Sequence, residues 1–404
     1  VAGSPADGYR TPSGRLNIEL PFSMHVCHLI TGLGIGGTPV MLAKLVEALH
    51  PRVRFTVIGM TGDEGCAPRL RAMGVPVHTL GMNRGRPHPK ALWRLCSLLR
   101  SDRPDVLQTW LYHADLMGLL AAKAVAGCPV VWNVRHATLT PGLDSRSTLL
   151  AARASAKLSS RGPSAIVVNS QTGLDVHVAA GYAATRMRLI PNGFDLSRFR
   201  PDDDARSALR QSLGLAASTP LIGLMSRYST LKGQPTFVDA MNRLHAASPD
   251  AHFVLCGTDI TPANAPLQSL VQSTACADRF HLLGERRDIA EIQASLDIAV
   301  SASTSEAFSN SIGEALACGV PVVTTNVGDS ASLVGDAGRV VDIGDARAMA
   351  AACLNILQRT PEDRKELSRR ARRRMEEHYE IGVIARRYHE LWMSVIKASG
   401  RRAA

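Results

Sequence analysis

The sequence predicts an α/β protein of two domains, each a parallel β-sheet covered by helices. Three observations carry this expectation. A strand, a glycine-rich loop and an apolar-periodic helix follow one another from about residue 25, the same order restarts near residue 220, and strand candidates alternate with helical stretches through both halves. Alternation of that kind implies a parallel sheet with helices on both faces. At 404 residues the chain is also too long for one ordinary core.

The first opening runs His25-Val-Cys-His-Leu-Ile30, then Thr-Gly-Leu-Gly-Ile-Gly-Gly, then Val40-Met-Leu-Ala-Lys-Leu-Val-Glu-Ala-Leu49 with apolar residues at helical spacing. Thr38 is a natural N-cap, and Pro39 fits the first helical position, where its missing N–H costs nothing. Further strands are expected at 54–59, 75–80, 106–109, 130–134 and 165–169. The second opening is Pro220-Leu-Ile-Gly-Leu-Met225, followed by Ser226-Arg-Tyr-Ser-Thr-Leu-Lys-Gly233 and a helix with Pro235 near its first turn. Strands are then expected at 252–256, 280–283, 298–301, 321–325 and 339–341. Between the halves, Pro191-Asn-Gly-Phe-Asp195 carries turn chemistry and the polar stretch 198–204 contains a proline, which places the linker near 195–205. The expected layout is a flexible tail at 1–22, an N-terminal domain at 23–197, a C-terminal domain at 198–380, and a final helix at 381–404 that packs back on the first domain.

Composition narrows the function classes. No apolar run reaches the roughly 18 residues of a spanning helix. The eight cysteines are scattered, with no Cys-x-x-Cys pair, which fits reduced thiols in a cytoplasm and no structural zinc. A formal charge of +11 calls for an anionic partner, either a substrate or a membrane surface. Aromatics at 4 % do not interleave with basic residues, so nucleic acid is not expected. Basic residues cluster at Arg84, Arg86, Lys90, Arg94, Arg100 and Arg103, and again from Arg364 to Arg374. Each cluster is either a solvated helix face or a contact with anionic lipid.

In open parallel sheets ligands bind beyond the carboxyl ends of the strands, so chemistry is expected in a cleft between two such ends. In Ser303-Thr-Ser-Glu306-Ala-Phe-Ser-Asn310-Ser-Ile-Gly-Glu314, a polar loop carrying Glu306 follows a strand and leads into a helix with Glu314 in its first turns. Carboxylates accept from sugar and ribose hydroxyls, and backbone N–H groups at Phe308, Ser309, Asn310 and Ser311 would favour phosphate. Glu314 also fits a capping box with Ser311, and spacing alone leaves both readings open. Arg227 and Lys232, on the loop that opens the second half, suit a diphosphate. The loop from Thr31 to Thr38 resembles a nicotinamide-cofactor fingerprint. That fingerprint requires an acid about 20 residues later at a strand end, whereas Asp63 and Glu64 come late, in a glycine-rich turn. His136, in Trp132-Asn-Val-Arg-His, and His113, in Thr109-Trp-Leu-Tyr-His-Ala-Asp115, both follow apolar strands on the expected cleft edge. For both, a packed or surface histidine is the competing reading.

Together these residues resemble glycosyltransferase family 4, retaining enzymes of the GT-B fold with two facing Rossmann-like domains and a cleft between them. The likeness covers about 24–396 and rests chiefly on Glu306-x7-Glu314 with Glu-Ala-Leu-Ala-Cys-Gly-Val-Pro-Val-Val. Arg227-x4-Lys232-Gly233, the Pro191 to Asp195 turn and Leu283-Gly284 before Arg286 support it. The resemblance implies Arg227 and Lys232 on the donor diphosphate, Glu314 on the ribose and Glu306 on the transferred sugar. It assigns the backbone of Phe308, Ser309, Asn310 and Ser311 to phosphate and sugar oxygens, and Leu283, Gly284 and Arg286 to the base. Gly36 and Gly37 would approach the diphosphate, and His136 would stand near the transferred sugar; His113 and Arg135 are the acceptor-side candidates. Pro39 occupies a place where the family often has an acid.

The expected activity is metal-independent transfer from a nucleotide-sugar, a UDP-sugar first among donors, with no cofactor. The acceptor is a lipid-linked or polysaccharide glycan at the inner face of the cell membrane. The two histidine-containing stretches are similar to members that build bacterial surface polysaccharides, including lipopolysaccharide. A small-molecule acceptor is the nearest alternative. A nucleotide-sugar epimerase or a non-catalytic sensor would keep the fold and change the function.

Overall fold

A computed structural model describes residues 24–34, 36–83, 88–125, 127–136, 138–140 and 144–400. The expected tail at 1–22, and Arg84 and Arg86 of the first basic cluster, lie outside the described residues. Two compact units form: one runs to Gly193 and resumes at Ile381, and the other is Phe194–Glu380.

The first unit is built from β1 (Met24–Ile30), α1 (Gly37–Leu49), β2 (Val53–Gly59), α2 (Ala67–Ala72), β3 (Val77–Thr79), α3 (Pro89–Asp102), β4 (Val106–Trp110), α4 (Tyr112–Ala124), β5 (Val130–Val134), α5 (Arg146–Leu158), β6 (Ala165–Val168), α6 (Gln171–Ala179) and β7 (Met187–Leu189). The second contains α7 (Asp203–Ser212), β8 (Leu221–Met225), α8 (Gln234–His245), β9 (His252–Cys256), α9 (Ala265–Gln272), β10 (Phe280–Leu282), α10 (Ile289–Ala294), β11 (Ile298–Ser301), α11 (Asn310–Ala317), β12 (Val322–Thr325), α12 (Ser330–Val334), β13 (Gly338–Val341), α13 (Ala346–Leu357) and α14 (Pro361–His378). The helix α15 (Ile381–Ala398) belongs to the first unit.

Both sheets are parallel, ordered β3-β2-β1-β4-β5-β6-β7 and β10-β9-β8-β11-β12-β13. Each order reverses direction at its centre, between β1 and β4 or between β8 and β11, which is the doubly wound Rossmann arrangement. The central strands are buried on both faces and so read as apolar runs rather than alternating ones. β7 is the strand the sequence reading omits, being three residues long with two of them exposed.

One correction concerns α1. Its N-cap is Gly36, in extended backbone, and the helix begins at Gly37 without a side-chain cap. Thr38 therefore lies inside the first turn rather than capping it. Pro39 is still accommodated, because the first N–H groups of a helix have no intrahelical acceptor.

In the first unit, α1, α2 and α15 share one core with the sheet, whereas α3, α4 and α5 share another. The inner side of α15 buries Ile384, Tyr388, Trp392 and Ile396, each no more than 2 % exposed. A buried aliphatic side chain of this size contributes roughly 1.5–3 kcal/mol. The aromatic pair also answers polar groups of the sheet. Trp392 Nε1 donates to Gln108 Oε1 at 2.9 Å, and Asn133 Nδ2 donates to the Tyr388 hydroxyl at 2.9 Å. An unpaired buried amide would be costly, so these contacts tie α15 to β4 and β5.

Candidate active site

The centre of the second sheet places the predicted donor residues. Lys232 follows β8 and Glu306 follows β11, the two strands that flank the order reversal. Their loops interlock: Thr304 N donates to Leu231 O at 2.9 Å. Gly233 sits at φ 66°, and a Cβ there would stand 1.9 Å from Ala302 O, so only glycine lets the β8 loop lie this close to the end of β11. Lys232 Nζ donates to Glu306 Oε1, and Ser303 Oγ donates to the same oxygen at 3.2 Å. The pair is partly buried, with side-chain exposures of 24 % and 16 %. Sequence separation of 74 residues is thus closed by the fold.

Glu314 lies in the following helix. Ser309 is the N-cap of α11 and makes no side-chain cap bond, and Ser311 stands at the second helical position. Ser311 is therefore not the cap that a Ser-x-x-Glu box needs. The first turn of α11, like that of any helix, leaves N–H groups without intrahelical acceptors and a partial positive charge. Phe308 turns its side chain inward, 8 % exposed and stacked 6.3 Å from Phe194, so only its backbone is available to a ligand.

Phe194 is the contributor that sequence reasoning missed. Its place in the Pro191 to Asp195 turn suggests linker chemistry, yet its ring is fully buried against α11. A Cβ added at Gly313 would meet that ring at 2.1 Å. Glycine in a helix interior costs up to about 1 kcal/mol, and this close approach is what it serves here. That unfavourable glycine was the available signal.

Arg227 is exposed after β8, and its carbonyl accepts from Gln234 Nε2 at 2.9 Å. Leu283 and Gly284 follow β10, where Leu283 N donates to Leu255 O and Gly284 N to Ile260 O. Arg286 points its guanidinium at Asp288, with contacts of 2.8 and 2.5 Å.

The first unit holds the remaining candidates. Gly36 and Gly37 are exposed at the start of α1. His113 is half-buried at the second position of α4, just after Leu111, whose φ of 74° is unusual for a non-glycine residue. His136 follows β5, with Nδ1 3.6 Å from Asp144 and its ring 5.5 Å from Tyr112. Burial pulls the imidazoles of His113 and His136 below their ordinary value. Arg135, expected on the acceptor side, is buried instead: it donates to Asn192 Oδ1 and sits 5.5 Å over the Trp110 ring. These contacts give its guanidinium a structural task.

Two other histidines make this unit acid-sensitive. Burial holds His28 down to about 3, and it holds His177 down to about 4. His177 Nε2 lies 2.7 Å from the Tyr112 hydroxyl and Nδ1 2.6 Å from Gly173 O. Both rings are neutral when folded and protonate near 6.5 when unfolded, so the stability they contribute is full above about pH 6.5 and is lost as pH falls toward 4. Asp115, pushed up by burial, acts in the opposite sense. A fall in Tm between pH 7 and pH 4.5 is expected, and His177→Gln should flatten it. An equal fall in wild type and variant would remove His177 as a cause.

Among the described residues, no group of three His, Cys, Asp or Glu side chains is placed to hold a metal ion. Two Rossmann-like units with these strand orders have the architecture of the GT-B class, and the second carries a Lys–Glu pair at the centre of its sheet. Solved structures agree on the fold: Anabaena HepE in complex with UDP matches at a TM-score of 0.81 and 23 % identity, covering 92 % of this chain and all of that one. Residues 35–198 match the model described as Glycosyltransferase Family 4, and residues 219–359 match Glycosyl transferases group 1. Together the two models span most of the chain, which is GT4-like in both halves. It is 31 % identical to the lipopolysaccharide core biosynthesis mannosyltransferase LpsB of Rhizobium meliloti over 45 % of this chain and 54 % of that protein, so the match spans about half of that relative. It is 29 % identical to the D-inositol 3-phosphate glycosyltransferase of Xylanimonas cellulosilytica over 78 % of this chain and 82 % of that protein.

Proposed function

We propose that this protein is a retaining glycosyltransferase that moves a sugar from a UDP-sugar to a lipid-linked or polysaccharide acceptor during bacterial surface glycan synthesis. The observation that carries the reading is the Lys232–Glu306 pair between the β8 and β11 loops, ahead of α11. The incoming diphosphate draws the Lys232 ammonium, with Arg227 beside it, and the Glu306 carboxylate then accepts from hydroxyls of the transferred sugar. Glu314 takes the ribose hydroxyls, the stretch Leu283 to Arg286 takes the base, and the backbone from Phe308 to Ser311 takes phosphate and sugar oxygens. On the acceptor side we assign Gly36 and Gly37 to the diphosphate, His136 to the transferred sugar and His113 to the acceptor.

Retention follows if the acceptor hydroxyl attacks the anomeric carbon on the face from which the diphosphate departs. The bond from that carbon to the phosphate oxygen breaks, and the hydroxyl proton passes to the departing phosphate. Arg227, Lys232 and the α11 terminus meet the charge that develops there, a role that needs no bound metal. The name of LpsB supports a surface-glycan acceptor, and the UDP bound to HepE supports the base. The match to the inositol phosphate enzyme favours a small-molecule acceptor as the second reading, because it covers more of the chain.

A thermal-shift panel of UDP-, GDP- and ADP-sugars tests the donor. A ligand that binds only the folded state raises Tm, by about 2.7 kcal/mol of added stability at a hundred times its Kd. The UDP-sugar is expected to give the largest rise, and a larger rise with a GDP-sugar would replace the base assignment. Release of an epimerised donor without acceptor would replace transfer altogether.

A further inference from the structure

His136 leaves β5 with 35 % of its side chain exposed, and its ring is bounded by groups from separate segments of the first unit. On one side stands Asp144, whose Oδ1 lies 3.6 Å from Nδ1. The other oxygen of that carboxylate is occupied: Thr140 N donates to Oδ2 at 3.0 Å, and Asp144 N donates back to Thr140 O at 3.0 Å. This reciprocal pair fixes a carboxylate that is only 12 % exposed and leaves Oδ1 to the imidazole.

On another side the Tyr112 ring meets the His136 ring edge-on, with 5.5 Å between centroids and 76° between planes. Tyr112 is held there from two directions. Leu111, before it, keeps φ at 74°, which side-chain-bearing residues rarely adopt, and its N–H donates to Asn133 O on β5 at 3.0 Å. Strain of this kind concentrates where a side chain has to be aimed. The Tyr112 hydroxyl lies 2.7 Å from His177 Nε2, while His177 Nδ1 lies 2.6 Å from Gly173 O. A carbonyl only accepts, so His177 carries its proton on Nδ1 and the Tyr112 hydroxyl donates to Nε2. The phenol is thereby spent, and Tyr112 offers His136 a wall and no hydrogen bond.

A carboxylate oxygen likewise only accepts, so a neutral imidazole beside Asp144 is most stable with its N–H on Nδ1 and its lone pair on Nε2. At 3.6 Å the contact is longer than a hydrogen bond, and contacts of this kind tighten when a ligand binds. We infer that Asp144 is a positioning residue for His136: it fixes the proton on Nδ1 and so makes Nε2 the acceptor for a hydroxyl of the transferred sugar. The other tautomer, or the imidazolium, would present that hydroxyl with an N–H in place of a lone pair. No proton moves in this arrangement, since the imidazole keeps the one on Nδ1 and the sugar hydroxyl keeps its own. This role rests on the reading of His136 as the residue beside the transferred sugar, whereas the pairing with Asp144 belongs to the first unit and is measured without donor.

Histidine 15N NMR on the full chain reads the tautomer, the His136 signals being those absent from His136→Gln and the His177 signals those absent from His177→Gln. Neutral His136 should carry its proton on Nδ1. Asp144→Asn keeps an oxygen for Thr140 N and removes the charge that favours imidazolium, so the titration midpoint of His136 should fall. A proton on Nε2, or a midpoint that does not move, overturns the inference. Calorimetry with UDP and with UDP-glucose gives the second readout. Asp144→Asn should weaken UDP-glucose roughly tenfold, the scale of one hydrogen bond, and leave UDP unchanged, because UDP has no sugar for His136 to meet. Equal weakening of both ligands would be a general structural effect and would overturn the positioning role. Asp144→Asn added to His136→Gln should cost nothing further, and full additivity of the two losses likewise overturns it. A loss for UDP-glucose in His136→Gln without one in Asp144→Asn has the same consequence. No loss in either variant, with the expected tautomer and shift, sinks the sugar assignment of His136 alone, and absence of binding by both nucleotides to the wild type sinks the donor reading alone.

Discussion

Lys232→Ala and Glu306→Gln are each expected to lower turnover at least about a hundredfold, which corresponds to roughly 2.7 kcal/mol of lost transition-state stabilisation. The two residues reach one point from loops that follow adjacent central strands, and their side chains are more than three-quarters buried. In such a place a fixed charge is worth more than in water, because little solvent reorganises around it. Alanine at 232 removes the cation that would meet the leaving diphosphate, so release of the nucleoside diphosphate in an initial-rate assay should slow. Glutamine at 306 keeps the shape and one hydrogen bond, and it removes the negative charge that accepts from sugar hydroxyls. Neither residue anchors a core, so Tm without ligand should move by only a few degrees. Wild-type rates in both variants would remove the pair from the site.

A further large effect is expected far from any ligand. Asp297→Ala should cost the second unit about 3–5 kcal/mol. Asp297 stands just before β11 and accepts from Arg206 Nη2 at 2.7 Å, Arg210 Nη2 at 2.7 Å and Leu221 N at 2.8 Å. The Arg210 side chain is only 2 % exposed, and burial lowers its affinity for its proton. Carbonyl oxygens of Ser295, Thr219 and Arg206 also accept from it. Without Asp297 a buried guanidinium has no counter-charge, and that loss exceeds what the pair itself contributes. Thermal or urea unfolding should report the change, on the order of ten degrees in Tm for a unit of this size. Replacing Arg210 and Asp297 together by apolar residues should recover much of it. A drop of less than about 1 kcal/mol in the single variant would show that the pair is not effectively desolvated.

The sequence made the sheets legible because buried parallel strands are apolar runs, and their order of alternation with helices survives any error of a residue or two at the ends. Lys232 and Glu306 could be named because each follows such a run, where ligand loops belong in an open sheet. Their direct contact could not be read, since it depends on the β8–β11 adjacency and on the close approach at Gly233. Capping was less legible: Thr38 and Ser311 have the right chemistry for caps, but the backbone turns into the helix before each of them. Arg135 and Phe194 misled in opposite ways. Arg135 has the chemistry of a ligand group and is consumed by Asn192 and Trp110, whereas Phe194 sits in a turn that reads as linker and supports the helix that carries Glu314. In both cases the deciding partner lies far away in sequence, beyond the reach of local pattern.

The position of α15 has a consequence for how the molecule is made. On the ribosome, the segment through Gly193 emerges first, yet the face of its sheet that receives Tyr388 and Trp392 stays open until the whole second unit has followed. Domains commonly fold in the order of their synthesis; here the earlier domain is the later one to be completed. During that interval Gln108, Asn133 and the apolar surface around Phe55 are without their cover, and the second unit can close on itself with Phe194 N already bonded to Tyr379 O. The first domain is therefore one core written in two pieces, and a fragment that stops at residue 193 would lack the helix that closes it.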